Sequence, residues 1–121
     1  MFVTRLVVLG IAVVSQCSML GAQGPDEPFR AEFKAYFECN DAGASEIWRQ
    51  NGEPVSLAFA VTHQCHEEWM TLGRAILRAR NMSVANELLA QAKKLAVERS
   101  TAAIVKNRAY YLLKRREQKS L

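Results

Sequence analysis

The spacing of apolar residues between positions 55 and 76 constrains the fold of this chain more than any other feature. One set of mostly apolar side chains recurs there at steps of three and four residues: Val55, Ala58, Thr62, Cys65, Trp69, Leu72 and Ile76. Such steps place the whole set on one face of an α-helix, as in the seam between two antiparallel helices. The pattern predicts a helix from about residue 53 to residue 80 that packs along a neighbouring helix.

A second helix is predicted directly before it, over about 29–50. Its apolar stripe contains Phe29, Tyr36, Gly43 and Ile47 at helical spacing. Between the two helices, the dipeptide Asn51-Gly52 tolerates a left-handed cap, and Pro54 suits the first turn of a helix. We therefore expect an antiparallel helical hairpin.

A third, long helix is predicted from about Val84 to Lys119, with Ser83 as its N-cap. Its expected inner stripe, which has a polar interruption near residues 98 and 99, is Ala85, Leu88, Ala92, Leu95, Ala102, Val105, Ala109 and Leu112. The segment 99–103 is expected to be a kink or a less buried turn. No strand pattern occurs, so the predicted fold is all-α: a hairpin closed by one disulfide plus a long third helix, in a three-helix bundle.

The first 22 residues have the layout of a secretory signal peptide. Arg5 supplies a positive charge, residues 6–14 form an uncharged apolar run, and Gly21 and Ala22 are small residues suited to cleavage. The run is short for a membrane span, although an uncleaved anchor is an alternative. The sequence therefore predicts a secreted or periplasmic protein.

Cleavage after Ala22 is expected to leave a flexible lead over 23–28 and a single α-helical domain over 29–121. A second alternative is a lipoprotein modified at Cys17, but Gln16 precedes that cysteine where a small residue is wanted.

Two cysteines remain after the predicted cleavage, Cys39 and Cys65. Each lies thirteen residues from Gly52, on opposite sides of the expected turn. With a rise of about 1.5 Å per residue, antiparallel helices bring both cysteines to the same height, roughly 20 Å from the turn. In an oxidising compartment this arrangement predicts a disulfide between them.

Charge is distributed unevenly along the chain. Residues 23–68 contain nine acidic and three basic residues, whereas residues 69–121 contain three acidic and twelve basic ones. The balance is thus −6 in the first half and +9 in the second. Either the halves neutralise each other within the fold, or the basic half meets an acidic partner.

The stretch THQCHEEW at 62–69 is the strongest candidate for chemistry, with Cys65 between two histidines. Covalent haem attachment requires two cysteines before a histidine, and Thr62 stands where the first cysteine would be, so this motif is excluded. One ion cannot reach Cys65 and both histidines on a regular helix, and the disulfide consumes the thiol. His63, His66 and Met70 do share a stripe, and two imidazoles with a thioether suit copper. Periplasmic copper handling is therefore the alternative function. The simpler interpretation is that these three residues form a half-exposed flank of the seam.

Catalytic signatures are weak. The adjacent Glu67 and Glu68 diverge on a helix and cannot act as a facing carboxylate pair. The sequence has no nucleophile elbow, no glycine-rich phosphate loop and no zinc-protease motif. We predict a protein that is not an enzyme and that needs no cofactor.

The basic end of the chain is the remaining candidate for a binding surface. Its predicted binding residues are Lys106, Arg108, Tyr111, Lys114, Arg115 and Arg116. A cationic helix that projects beyond the hairpin and carries tyrosines suits an anionic membrane surface or an acidic protein. The simpler interpretation is a solvated helix end, where cations favour the negative end of the dipole.

The sequence thus predicts a non-enzymatic interaction module whose partner is an unknown protein or an anionic surface. Nucleic acid is a less suitable partner for an exported chain, and self-association through the long helix is a further possibility.

Overall fold

The computed structural model describes residues 27–120. A 3₁₀ helix, Glu27–Phe29, leads into four α-helices: α1 (Arg30–Ile47), α2 (Pro54–Gln64), α3 (His66–Ala79) and α4 (Met82–Lys119). No strand occurs within these residues, which confirms the all-α prediction. The predicted signal peptide, with Cys17, lies outside the described residues. The last two residues of the predicted flexible lead, Glu27 and Pro28, belong to the 3₁₀ helix.

The predicted three-helix bundle is wrong in its helix count, because the helix expected over 53–80 is two helices. Cys65 separates α2 from α3 with φ −92° and ψ 23°, outside helical values. Backbone hydrogen bonds continue across this residue: its N–H donates to the Val61 carbonyl at 3.1 Å, and its carbonyl accepts from the Trp69 N–H at 3.1 Å. The apolar period also continues across Cys65, and no glycine or proline marks the break, so the pattern carried no signal of it.

The hairpin and its disulfide are as predicted. Gly52 takes a positive φ of 138°, a conformation that favours glycine, and Pro54 begins α2 at its first position. The Cα atoms of Cys39 and Cys65 lie 6.0 Å apart and their sulfurs are bonded. This distance is in the usual range for a disulfide between facing elements.

The core lies between the hairpin and α4 and consists of two groups of buried side chains. One group surrounds the disulfide and is formed by Phe29, Tyr36, Cys65, Leu72, Ala75, Ile76, Ala85, Ala92 and Ala96. The other lies nearer the turn and is formed by Ala44, Ile47, Leu57, Ala58, Val61 and Ile104. Most of the predicted 55–76 seam is buried, although Val55 is 44 % exposed and Trp69 is half-buried.

Helix α4 buries a different face from the predicted one in its second half. Ala85 and Ala92 are buried as expected, but the buried face then continues at steps of four residues through Ala96, Ser100 and Ile104. The expected stripe residues Leu95, Val105 and Leu112 are 51 %, 50 % and 56 % exposed. Steps that alternate between three and four residues average 3.5 residues, whereas the helix has 3.6 residues per turn. Along a long straight helix, residues spaced in this way therefore rotate gradually away from the buried face.

The predicted polar interruption near residue 99 breaks neither the helix nor the core. Helix α4 runs continuously over its 38 residues, and Ser100 is fully buried within it. The N-cap is Asn81 rather than Ser83: the Asn81 side chain accepts a hydrogen bond from the Val84 N–H at 2.9 Å. Asn81 has extended backbone dihedrals, whereas Ser83 is already inside the helix.

A span across a membrane needs a helix both long and apolar, and none of the helices between residues 27 and 120 meets that requirement.

Candidate functional site

The end of α4 extends beyond the packed body of the protein. Every residue from 109 to 120 is exposed, whereas Ile104, one turn earlier, is fully buried. The helix is about 57 Å long at 1.5 Å per residue, longer than either partner in the hairpin. The expectation of a projecting C-terminal helix therefore agrees with the structure.

Arg108 fastens this projecting end to the α1–α2 turn. Its Nε donates to the Trp48 carbonyl at 2.9 Å, and its Nη2 donates to the Gln50 carbonyl at 2.7 Å. These carbonyls follow the last turn of α1, where backbone acceptors lack helical partners. Arg108, predicted as a binding residue, therefore has two of its donors occupied and positions the helix relative to the turn.

Aromatic rings and guanidinium groups meet beside Arg108. The rings of Trp48 and Tyr111 lie 5.8 Å apart at an interplanar angle of 57°, a favourable tilted contact. The Arg49 guanidinium lies 5.0 Å from the Trp48 ring centroid, and the Arg115 guanidinium lies 5.9 Å from that of Tyr111. Both are cation–π distances.

These groups border a cleft of about 590 Å³ between the turn and α4, which we call the turn cleft. It is lined by Trp48, Arg49, Gln50, Asn51, Gly52, Arg108, Tyr111 and Leu112. Cationic side chains come from both walls and no carboxylate lines the cleft. Its chemistry suits an anionic group attached to an apolar one.

The other predicted binding residues do not line the cleft. Lys106 and Arg116 are exposed on α4. Lys114 lies 3.9 Å from a Glu117 carboxylate oxygen and 5.6 Å from the Tyr110 ring centroid, all at the surface. The structure thus brings Arg108 and Tyr111 to one site and leaves the remaining cations spread over the projecting helix.

Trp48 and Arg49 are the functional candidates that the sequence patterns missed. They directly follow α1, just before the turn. Their place directly before the Asn51-Gly52 turn is the sequence signal that could have identified them, because an aromatic ring next to a tight turn lies near the surface.

The predicted copper ligands do not assemble into one set. His63 and His66 line a second cavity of about 390 Å³, which we call the histidine cavity, whereas Met70 is 41 % exposed and is not among its lining residues. Among the described His, Cys, Asp and Glu side chains, the group of three whose ligand atoms lie within 4.8 Å of one another is Cys39, Cys65 and Glu68. Two of those atoms are the disulfide sulfurs. Copper handling therefore stays a prediction, and among the described His, Cys, Asp and Glu side chains no third ligand joins His63 and His66.

No protein-family model, curated protein or solved structure shows a significant match to this chain.

Proposed function

We propose that this protein is a non-enzymatic interaction module that binds an anionic partner through the basic end of α4. One observation carries the proposal: residues 106–120 contain six lysine or arginine residues and one glutamate, and every residue from 109 to 120 is exposed. Such an excess of cations attracts anionic surfaces, and the projection leaves them free of the core.

Exposed apolar side chains within the same segment support binding rather than simple solvation. Tyr110, Tyr111, Leu112 and Leu113 are between 49 % and 62 % exposed. Aromatic and aliphatic groups next to cations suit a partner that offers both charge and apolar area, such as an anionic lipid surface or an acidic protein segment. Nucleic acid is a less suitable partner for an exported chain.

The proposed address is secreted or periplasmic. Its support is the signal-like N-terminal sequence together with the Cys39–Cys65 disulfide, since disulfides persist in oxidising compartments. Intact-mass analysis of exported material after alkylation is expected to show both thiols protected. Absence of the protein from the exported fraction would contradict the address, and free alkylatable thiols in exported material would contradict the disulfide.

Vesicle binding tests the proposed function. We expect the protein to co-sediment with vesicles of phosphatidylglycerol and phosphatidylcholine but not with phosphatidylcholine alone, and to dissociate as salt screens the charges. Reversing Lys114, Arg115 and Arg116 to Glu is expected to lower the affinity by about a hundredfold or more, because each cation near an anionic surface contributes about 1 kcal/mol.

The matched control reverses Arg74, Arg78 and Lys94, three exposed cations on the body of the protein. This triple variant changes the net charge equally but leaves the end of α4 intact. Equal losses in the two triple variants contradict a role for this helix end. Polyglutamate is a second probe, which tests whether the partner is an acidic protein segment rather than a lipid surface. If the protein binds neither the anionic vesicles nor polyglutamate, the proposal is wrong.

A shortened chain ending at Leu113 separates binding from folding. It keeps Tyr111 against Trp48 and removes residues that are exposed from 114 to 120. We expect its free energy of unfolding to stay within about 0.5 kcal/mol of the full chain, because exposed residues away from packing contribute little. Its binding to anionic vesicles is expected to be lost.

A further inference from the structure

The histidine cavity lies where all four helices meet, on a different part of the molecule from the turn cleft. Tyr36 of α1, His63 of α2, His66 and Trp69 of α3, and Lys93 of α4 contribute to its walls. The break at Cys65 falls between the two histidines. The site is thus built by tertiary packing and not by one helix face.

The polar groups of this cavity include one cation, the ammonium of Lys93, beside the side chains of Tyr36, Thr62, His63 and His66. Within the described part of the chain, the imidazoles of His63 and His66 have no hydrogen bond, and the Lys93 ammonium has no ion pair. The hydroxyl of Thr62 already donates to the Phe59 carbonyl at 2.8 Å. No aspartate or glutamate lines the cavity. The Lys93 ammonium can only donate and each imidazole can donate through one ring nitrogen, so an anionic acceptor suits these walls.

Trp69 is the centre of the apolar wall. Its ring stacks with that of His66 at 6.0 Å and 25°, and the Lys93 ammonium lies 5.9 Å from its centroid. Its indole N–H is buried and has no hydrogen-bond partner. Phe59, which is 53 % exposed, adds a second aromatic ring to the lining.

We propose that the histidine cavity binds a small carboxylate that carries a ring-sized apolar body. Lys93 and the imidazoles supply charged or polar donors for the carboxylate, and charge-assisted bonds of this kind are the strong ones. Phe59 and Trp69 supply flat apolar surface for the ring. The cavity of about 390 Å³ lies within the range of small-molecule sites.

The same walls disfavour a metal cation. Lys93 places a positive charge at the cavity, and no carboxylate is present to offset a second one. This inference does not rest on the function proposed for α4, because the two sites share no lining residue.

Phenylacetate is the probe, with phenylacetamide as its neutral analogue. The protein has two tryptophans, so two indole N–H resonances are expected in a ¹H–¹⁵N spectrum, assigned with Trp69→Phe. We expect phenylacetate to shift the Trp69 resonance saturably and phenylacetamide to bind about tenfold more weakly. The Trp48 resonance reports on the turn cleft, so binding at either site is read separately.

Adjacent lysines provide the matched variants. Lys93 lines the cavity, whereas Lys94 does not, and both are exposed on α4. Lys93→Gln is expected to weaken phenylacetate binding about tenfold, and Lys94→Gln to change it less than about twofold. Three outcomes overturn the proposal: no Trp69 shift at millimolar phenylacetate, equal binding of the neutral analogue, or equal losses in the two lysine variants.

Discussion

Ser100 places a hydroxyl group inside the core without a hydrogen-bond partner. The residue is fully buried in α4, and its Oγ makes no hydrogen bond. Asn40 is only half satisfied: its Nδ2 donates to the Tyr36 carbonyl at 2.8 Å, but its Oδ1 has no partner. Burying a polar group without compensation costs free energy, so each of these positions lowers the stability of the fold.

Replacing the buried hydroxyl should stabilise the protein. Ser100→Ala removes an unsatisfied group and introduces a better helix former, so we expect the free energy of unfolding to rise by about 1 kcal/mol, measured by urea denaturation. Ser45→Ala is the control, because Ser45 is exposed and its hydroxyl donates to the Ala42 carbonyl at 2.8 Å. A loss of stability in Ser100→Ala is the result that contradicts the prediction.

At the scale of single elements, the start of α4 depends on one side chain. Asn81→Ala removes the acceptor for the Val84 N–H and is expected to cost about 1 kcal/mol in thermal or urea unfolding. Ser83→Ala, at the position where the sequence predicted the cap, should change stability by less than about 0.5 kcal/mol. Equal effects of the two substitutions would show that the Asn81 cap contributes nothing.

The close approach of α1 and α2 depends on Gly43. A Cβ at this position would lie 2.7 Å from Val61 Cγ1, on a stiff β-branched side chain. Gly43→Ala gains about 1 kcal/mol in helix propensity but should lose more to overpacking, giving a net loss of about 1–2 kcal/mol in urea unfolding. Adding Val61→Ala is expected to cost less than the sum of the single changes.

Gly73 is the control for this prediction. It is also a glycine within a helix, but its added Cβ would meet Leu89 Cδ1 at 3.3 Å, the far end of a flexible side chain. Gly73→Ala should therefore leave stability unchanged or raise it by up to about 1 kcal/mol. If both glycine variants destabilise the protein equally, helix crowding does not explain the role of Gly43.

At the scale of the whole molecule, the disulfide closes the hairpin across a sequence separation of 26 residues. In the chain-entropy model, replacing both Cys39 and Cys65 with alanine should lower the free energy of unfolding by about 3.5 kcal/mol. Urea unfolding of the double variant measures this loss, and chemical reduction of the unsubstituted protein should reproduce most of it. A difference below about 1 kcal/mol contradicts a stabilising role for the cross-link.

Charge is also organised over the whole molecule. The acidic first half and basic second half are joined by an ion pair between Arg99 and Asp41, whose nitrogen and oxygen lie 2.6 Å apart. Both side chains are about half exposed, so this pair is worth at most about 1 kcal/mol. The cations beyond residue 108 project past the body of the protein, so the charge asymmetry remains displayed at the surface.

Much of the fold was predictable because it depends on local patterns. Helical spacing placed the hairpin, and the equal distances of Cys39 and Cys65 from Gly52 paired the cysteines. The candidate site was less accessible to sequence analysis. The types of Arg108 and Tyr111 identified them as candidates, but their partners Trp48 and Gln50 lie 58 to 63 residues earlier in the chain, and no local pattern joins them.

The sequence by itself determined the all-helical class, the position of the turn and the disulfide, because residue propensities and a constant rise per residue act along the chain. Only the tertiary structure decided the break at Cys65, the buried face of α4 beyond Ala92, and the assembly of the turn cleft. These features depend on how helices cross and which side chains meet there, and that geometry follows from packing between distant segments rather than from the period of any one of them.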